Sequence, residues 1–117
     1  MSRVAGFSFE ERAANWLRQI GFQILERNYT VKGGEIDLVC DDAGTLVFVE
    51  VRARRDNDHG SPSETISATK RSRIVHAARM YLVERQIEDR ACRFDVIAIE
   101  GDSITHLADA FQTTGDY

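Results

Sequence analysis

The chain is poor in proline and cysteine, carries almost no lysine and holds no long apolar run. A single proline and eight glycines in 117 residues exclude a low-complexity or fibrous class. The two cysteines, Cys40 and Cys92, lie in apolar strand-like stretches with no Cys-x-x-Cys pair and no histidine at ligand spacing. That excludes a zinc module and predicts buried thiols in a reducing compartment. No stretch approaches the roughly 20 apolar residues that span a bilayer, and the N-terminus lacks the apolar core of a signal peptide. A cytoplasmic protein without a membrane partner is expected. Of the 15 basic residues only Lys32 and Lys70 are lysine. The others are arginine, whose planar fork suits bidentate contacts to phosphate or carboxylate.

What is present describes an ordinary globular domain: 43% hydrophobic, 29% charged and 9% aromatic residues. This length supports a core without disulfide or metal staples. One domain over residues 1–117 is expected, with a frayed tail from about 112. The net charge of −4 argues against a general nucleic-acid coat. Yet Arg52, Arg54 and Arg55 form one basic cluster and Lys70, Arg71 and Arg73 another. Each is either a solvated face paired with acids or a surface for phosphate.

The segment FSFEERAANWLRQIG reads as a helix. Ser8 and Glu11 make a capping box, and Gly21 can close the end in the left-handed conformation. At 100° per residue Phe9, Ala13, Trp16, Leu17 and Ile20 share a stripe. Glu10 borders that stripe, whereas Glu11 lies opposite. Three strands follow: FQILERNYTV, EIDLVC and TLVFVEVRAR, punctuated by Lys32-Gly33-Gly34 and by a hairpin turn at Asp41–Gly44. Residues 55–63 read as a loop. A second helix runs from about Ser67 to Gln86, with Ile74, Ala77, Ala78, Tyr81 and Leu82 on one face and Lys70 a turn before them. CRFDVIAIE is a fourth strand, and ITHLADAF a short fifth strand or tail. The order is α-β-β-β-α-β-β. A crossover through the second helix makes strands three and four parallel, so the class is α/β with a mixed sheet and flanking helices.

Three acids interrupt these strands. Side chains alternate faces, so Glu35, Asp37 and Val39 share one face of strand two, and Leu46, Phe48, Glu50 and Arg52 one face of strand three. Ile36, Leu38 and Cys40 with Val47, Val49 and Val51 make the other face wholly apolar. A turn centred on Asp42-Ala43 sets residue 35 opposite 50 and 37 opposite 48, which leaves Asp37 diagonal to Glu50. Clustered carboxylates disfavour ionisation unless a cation sits among them. Hard oxygen donors suit Mg²⁺ or Mn²⁺, which can activate water and neutralise charge on a phosphodiester. The other reading is an ion network: Glu50 with Arg52, Glu35 with Lys32 or an arginine, and Asp37 at a solvated sheet end.

The segments GFSFEERAANWL, RNYTVKGGEIDLV, LVFVEVRAR, ATKRSRI and RFDVIAI together resemble the YraN family of small, largely uncharacterised bacterial proteins. That family is grouped by similarity with the PD-(D/E)xK nucleases, whose fold is restriction-endonuclease-like. The resemblance runs from about Gly6 to Phe111. It implies a divalent-metal-dependent endonuclease-like protein acting on nucleic acid, DNA ahead of RNA, with Glu10, Asp37 and Glu50 holding Mg²⁺ or Mn²⁺. The superfamily lysine is replaced here by Arg52, which stays protonated and cannot serve as a general base. Arg52 can still hold the scissile phosphate, and Lys70 matches a basic position of the YraN pattern. Lys70, Arg71, Arg73, Arg54 and Arg55 are the implied nucleic-acid contacts. Small nucleases of this kind often act as homodimers. The alternative, favoured by the acidic net charge and by Arg52, is a nucleic-acid-binding or protein-interaction module that keeps the fold without cleaving.

The remaining conspicuous residues read as structural. His59 is an exposed loop histidine, His76 a solvated helix residue, and His106 a strand residue without an evident partner. Trp16 and Phe9 read as core anchors, Tyr29 and Asn28 as strand-end packing, and Asp95 as a partner for Arg93 or Arg52.

Overall fold

In the computed structural model the protein is a five-stranded sheet between two helices, and the structure describes residues 8–53 and 66–112. The elements are α1 (Phe9–Gln19), β1 (Gln23–Val31), β2 (Gly34–Asp42), β3 (Thr45–Ala53), α2 (Ala68–Glu84), β4 (Cys92–Glu100) and β5 (Ser103–Phe111). Their order is the expected one. The sheet runs β1-β2-β3-β4-β5. Only the β3–β4 pair is parallel, across the α2 crossover. β5 is a full nine-residue strand rather than a short tail.

Both helices start where a serine can cap them. Ser8 Oγ accepts the Glu11 N–H, and Ser67 Oγ accepts the Lys70 N–H. Only half of the capping box at α1 forms, because the Glu11 carboxylate pairs with Arg27 at 2.7 Å. Gly21, at φ 102°, closes α1 as expected.

α1 packs Ala13, Ala14 and Leu17 on Leu38, Cys40, Val47, Val49, Ile97 and Ile99. α2 packs Ile74, Ala77, Ala78 and Tyr81 on Val39, Leu46, Phe48 and Phe94. The alternation along β3 sends these two sets to opposite faces, which makes three layers. Phe9 and Ile20 are exposed rather than core residues, since they lie at the two ends of α1, beyond the part that meets the sheet. Cys40 is buried, but Cys92, the first residue of β4, is exposed, contrary to expectation.

The β2–β3 register also differs from the sequence reading. Asp42 pairs with Thr45, Cys40 with Val47 and Leu38 with Val49, so the turn is Ala43-Gly44, not Asp42-Ala43. Both turn residues have positive φ, 50° and 97°, the combination that a two-residue hairpin of matching twist requires. The correction shifts the pairing by two residues. An even shift keeps every side chain on its face, so it moves Glu50 toward Asp37 without turning it away.

Candidate active site

The site grows from a local failure of the β ladder. Regular β2–β3 pairing ends at Leu38–Val49. One step beyond, Asp37 Oδ2 accepts the Val51 backbone N–H at 2.8 Å. The side chain therefore occupies a place on the ladder that a main-chain carbonyl would otherwise fill. Alternation breaks at the same point. Ile36 packs with the α2-side cluster, although Leu38 and Cys40 lie on the α1 side. The expectation of a wholly apolar face that included Ile36 is thus corrected. The break extends into β1. Arg27 reaches Glu11 of α1, whereas Tyr29 stacks edge-on with Tyr81 of α2. Between them Asn28 adopts φ 51°, a left-handed conformation that asparagine tolerates better than most residues.

This opening collects the predicted acids. Asp37 is 8% exposed and Glu50 4%. Burial, and then the neighbouring Glu50 charge, push the Asp37 carboxyl up to about 7, against the opposing pull of the Val51 N–H and the Lys70 charge. Glu10, at the start of α1, is also raised, first by burial and next by the Asp37 charge. Asn28 acts the other way. Glu35, exposed on β2, adds further negative charge near Glu10. From the opposite layer Lys70 Nζ reaches Glu50 Oε2 at 3.0 Å. The ion-network reading is therefore corrected on two counts. Asp37 is buried rather than solvated, and Glu50 pairs with Lys70 rather than with Arg52.

The basic residues separate. Arg52 follows Glu50 on the α2 side, and its buried Nε has no hydrogen-bond partner among the described residues. Arg71 turns away and donates to the Ile66 carbonyl at 2.9 Å. Arg73 is exposed, and its carbonyl lies over Gly34. Of the cluster, only Lys70 touches the acids. Arg54, Arg55 and His59 lie outside the described residues. Among those described, no three acidic, histidine or cysteine side chains converge closely enough to hold an ion by themselves. The donors are hard carboxylate oxygens, two of them buried side by side. They fit a site of the Mg²⁺ type, in which one or two carboxylates are completed by water and substrate phosphate.

Two features were not expected from the sequence. Asn28 belongs to the site through Glu10, and its only signal was a small polar residue inside a strand. His106, thought partnerless, lies 2.7 Å from Asp95 Oδ2. Asp95 also takes a two-pronged contact from Arg93 and the Asp109 N–H. This network sits against Trp16 and Phe22 and does not join the acids around Asp37. His76 is exposed on α2, as expected, with its ring 3.1 Å from the Lys32 carbonyl.

The model of the uncharacterised protein family UPF0102 matches residues 9–99. A UPF0102 protein of Burkholderia thailandensis is 49% identical over 94% of this chain and 76% of its own. One of Methylibium petroleiphilum is 47% identical over 97% and 98%, and one of Persephonella marina 40% identical over 94% and 95%. No helix among the described residues is long and apolar enough to cross a membrane.

Proposed function

Taking as premise that the chain belongs to the uncharacterised protein family UPF0102, the family called YraN above, we propose that it is a cytoplasmic, divalent-metal-dependent phosphodiester hydrolase acting on nucleic acid, DNA in the first place. The observation that carries this reading is the buried Asp37–Glu50 pair at the opening of the β2–β3 ladder, with Lys70 on Glu50 at 3.0 Å. A carboxyl pushed up to about 7 by burial and then by a neighbouring like charge is a costly arrangement for stability alone, and such arrangements cluster at functional sites.

Asp37 and Glu50 would hold Mg²⁺ or Mn²⁺, with Glu10 as the third acid; bound there, the ion lowers the pKa of water and offsets charge on the phosphate. The chain's own groups supply the rest. Burial keeps both carboxylates oriented and the Val51 N–H fixes Asp37. Lys70, 46% exposed, presents an ammonium on the solvent side of Glu50, where it can orient the attacking water or a phosphate oxygen. Arg52 cannot take up a proton and serves the phosphate. Two copies acting on opposite strands of a duplex are one form of this reading.

A second reading has a specific observation in its favour. Arg52 replaces the superfamily lysine, and three acids do not converge without a further donor. A binding module on the same scaffold would have these features. Titration calorimetry with Mn²⁺ separates the two, using wild type, Asp37→Asn and Glu50→Gln, with and without an uncleavable oligonucleotide. Cleavage of branched, flapped and single-stranded DNA is assayed in parallel. Binding lost in both variants, with Mg²⁺-dependent cleavage lost alongside, is the expected result. No metal binding, even with oligonucleotide present, leaves the binding module.

A further inference from the structure

A cleft of about 390 Å³ lies between α2 and the end of β5, lined by Arg71, Ser72, Val75, His76, Arg79 and Phe111. It meets a second cleft of 290 Å³ at Val75 and Arg79, whose floor includes Phe94. Phe94, buried, and Phe111, partly exposed in the first cleft, stack at 5.0 Å and 18°. No acidic side chain among the described residues lines either cleft, although the whole chain carries −4. The charge along α2 runs against its dipole. The first turn has no acid and is followed by Arg71 and Arg73, while Glu84 ends the helix. Cations at a helix N-terminus are unfavourable for the helix itself, and a polyanion alongside would offset that.

We propose that this cleft is a track for a single-stranded nucleic-acid segment, with Arg71 and Arg79 on its phosphates and Phe111 as a platform for one base. The two arginines lie eight residues apart on one helix, about 12 Å along its axis, which spaces them for separate phosphates. Stacking on Phe111 requires an unpaired, splayed base. The cleft volume is that of a small-ligand site, the size of one splayed nucleotide rather than of a double helix. As a path for substrate the track rests on the hydrolytic reading above: Arg71, which lines the cleft, directly follows Lys70, which touches Glu50.

Fluorescence anisotropy with a labelled 15-nucleotide oligothymidylate and a duplex of equal length, both in EDTA, tests it on the full chain. Wild type should prefer the single strand. Arg71→Gln and Arg79→Gln should each weaken it about five- to tenfold and reduce the salt slope by about 0.7. Phe111→Leu should weaken it with the slope unchanged, since stacking releases no counterion. Circular dichroism melts confirm that each variant is folded. Asp37→Asn should bind the single strand like wild type while losing Mg²⁺-dependent cleavage. Duplex preference, equal competition by polyglutamate, or undiminished affinity in all three cleft variants overturns the track. If cleavage is lost only in Asp37→Asn and binding ignores the cleft, the track fails and the hydrolytic reading stands. If no variant or wild type cleaves and the cleft variants still lose binding, the hydrolytic reading fails and the cleft stands as a single-strand binding surface.

Discussion

Lys70 on α2 and Glu50 on β3 are joined by a 3.0 Å ion pair in which the carboxylate is buried and the ammonium is half-exposed. The asymmetry decides what the pair does. Glu50 has little access to water and sits beside a second acid, so Lys70 compensates a charge that solvent cannot. Lys70 itself is well hydrated. Its removal should cost less than breaking a fully buried pair. Lys70→Met is expected to destabilise by about 1–2 kcal/mol at pH 8, and by less at pH 5, where a carboxyl can be protonated. Lys70→Arg should restore most of that stability yet not the cleavage activity, because a planar guanidinium fork does not place its donors where the compact ammonium does. Urea titrations at both pH values measure the first part. Full cleavage by Lys70→Arg would sink the ammonium's role in orienting the water or phosphate.

Gly34 sets how closely α2 can approach the acids. A Cβ there would lie 2.2 Å from the Arg73 carbonyl oxygen and 3.2 Å from Ala77 Cβ. The first obstacle is helix backbone, so it cannot swing aside. Gly34→Ala should cost at least about 3 kcal/mol and displace Lys70, which sits one turn earlier. Gly44→Ala is the control. Its Cβ would meet nothing within 4 Å, so only the backbone strain at φ 97° counts, about 1 kcal/mol. Equal melting temperatures for the two variants would contradict this account of how α2 is seated.

The contrast between these two glycines also shows where sequence reading stops. Element order, the parallel crossover and the acids were legible, because hydrophobic period and turn chemistry are local properties. Asp37 and Glu50 could be placed on strands from alternation alone. An even error in register left the facing of Glu50 intact. Alternation could not foresee its own interruption at Asp37, where a side chain replaces a carbonyl on the ladder, or the matching φ 51° at Asn28. These depend on how two strands separate, which neither strand encodes by itself. His106 was unreadable for a similar reason. Its partner Asp95 lies across a register shift in the β4–β5 pair.

That β4–β5 network should serve stability and not the chemistry. Burial alone would raise the Asp95 carboxyl, but hydrogen bonds from His106, Arg93 and the Asp109 N–H hold it below the usual aspartate range. A lowered folded pKa contributes stability that is present above the unfolded value and is lost as pH falls through the folded one. Asp95→Asn is therefore expected to cost about 3 kcal/mol at pH 7, with the penalty shrinking in acid. Mn²⁺ affinity should be unchanged in the folded variant. A Tm series from pH 3 to 7 with calorimetry on the same samples checks both, and lost metal binding would tie the network to the site after all.

Asp37 has the opposite sign. Its pKa rises from 3.8 to about 7 on folding, through burial and the adjacent Glu50. Between these values the folded protein binds a proton that the unfolded chain has released. The contribution to stability is complete below about pH 4 and is lost as pH climbs toward 7. Above 7 the fold carries two buried charges side by side. Asp37→Asn removes that burden and keeps an oxygen for the Val51 N–H. The variant should melt near wild type at pH 5 and several degrees above it at pH 8. Saturating Mn²⁺ should close the gap from the other side, raising the wild-type Tm at pH 8 while leaving Asp37→Asn unmoved. Because metal and proton compete for one carboxylate, the wild-type affinity for Mn²⁺ should fall steeply below pH 7. Differential scanning calorimetry across that range, with and without metal, decides the matter. A variant that is less stable than wild type at pH 8 would mean that Asp37 is ionised at no cost in the folded protein and that no frustration exists for a cation to relieve.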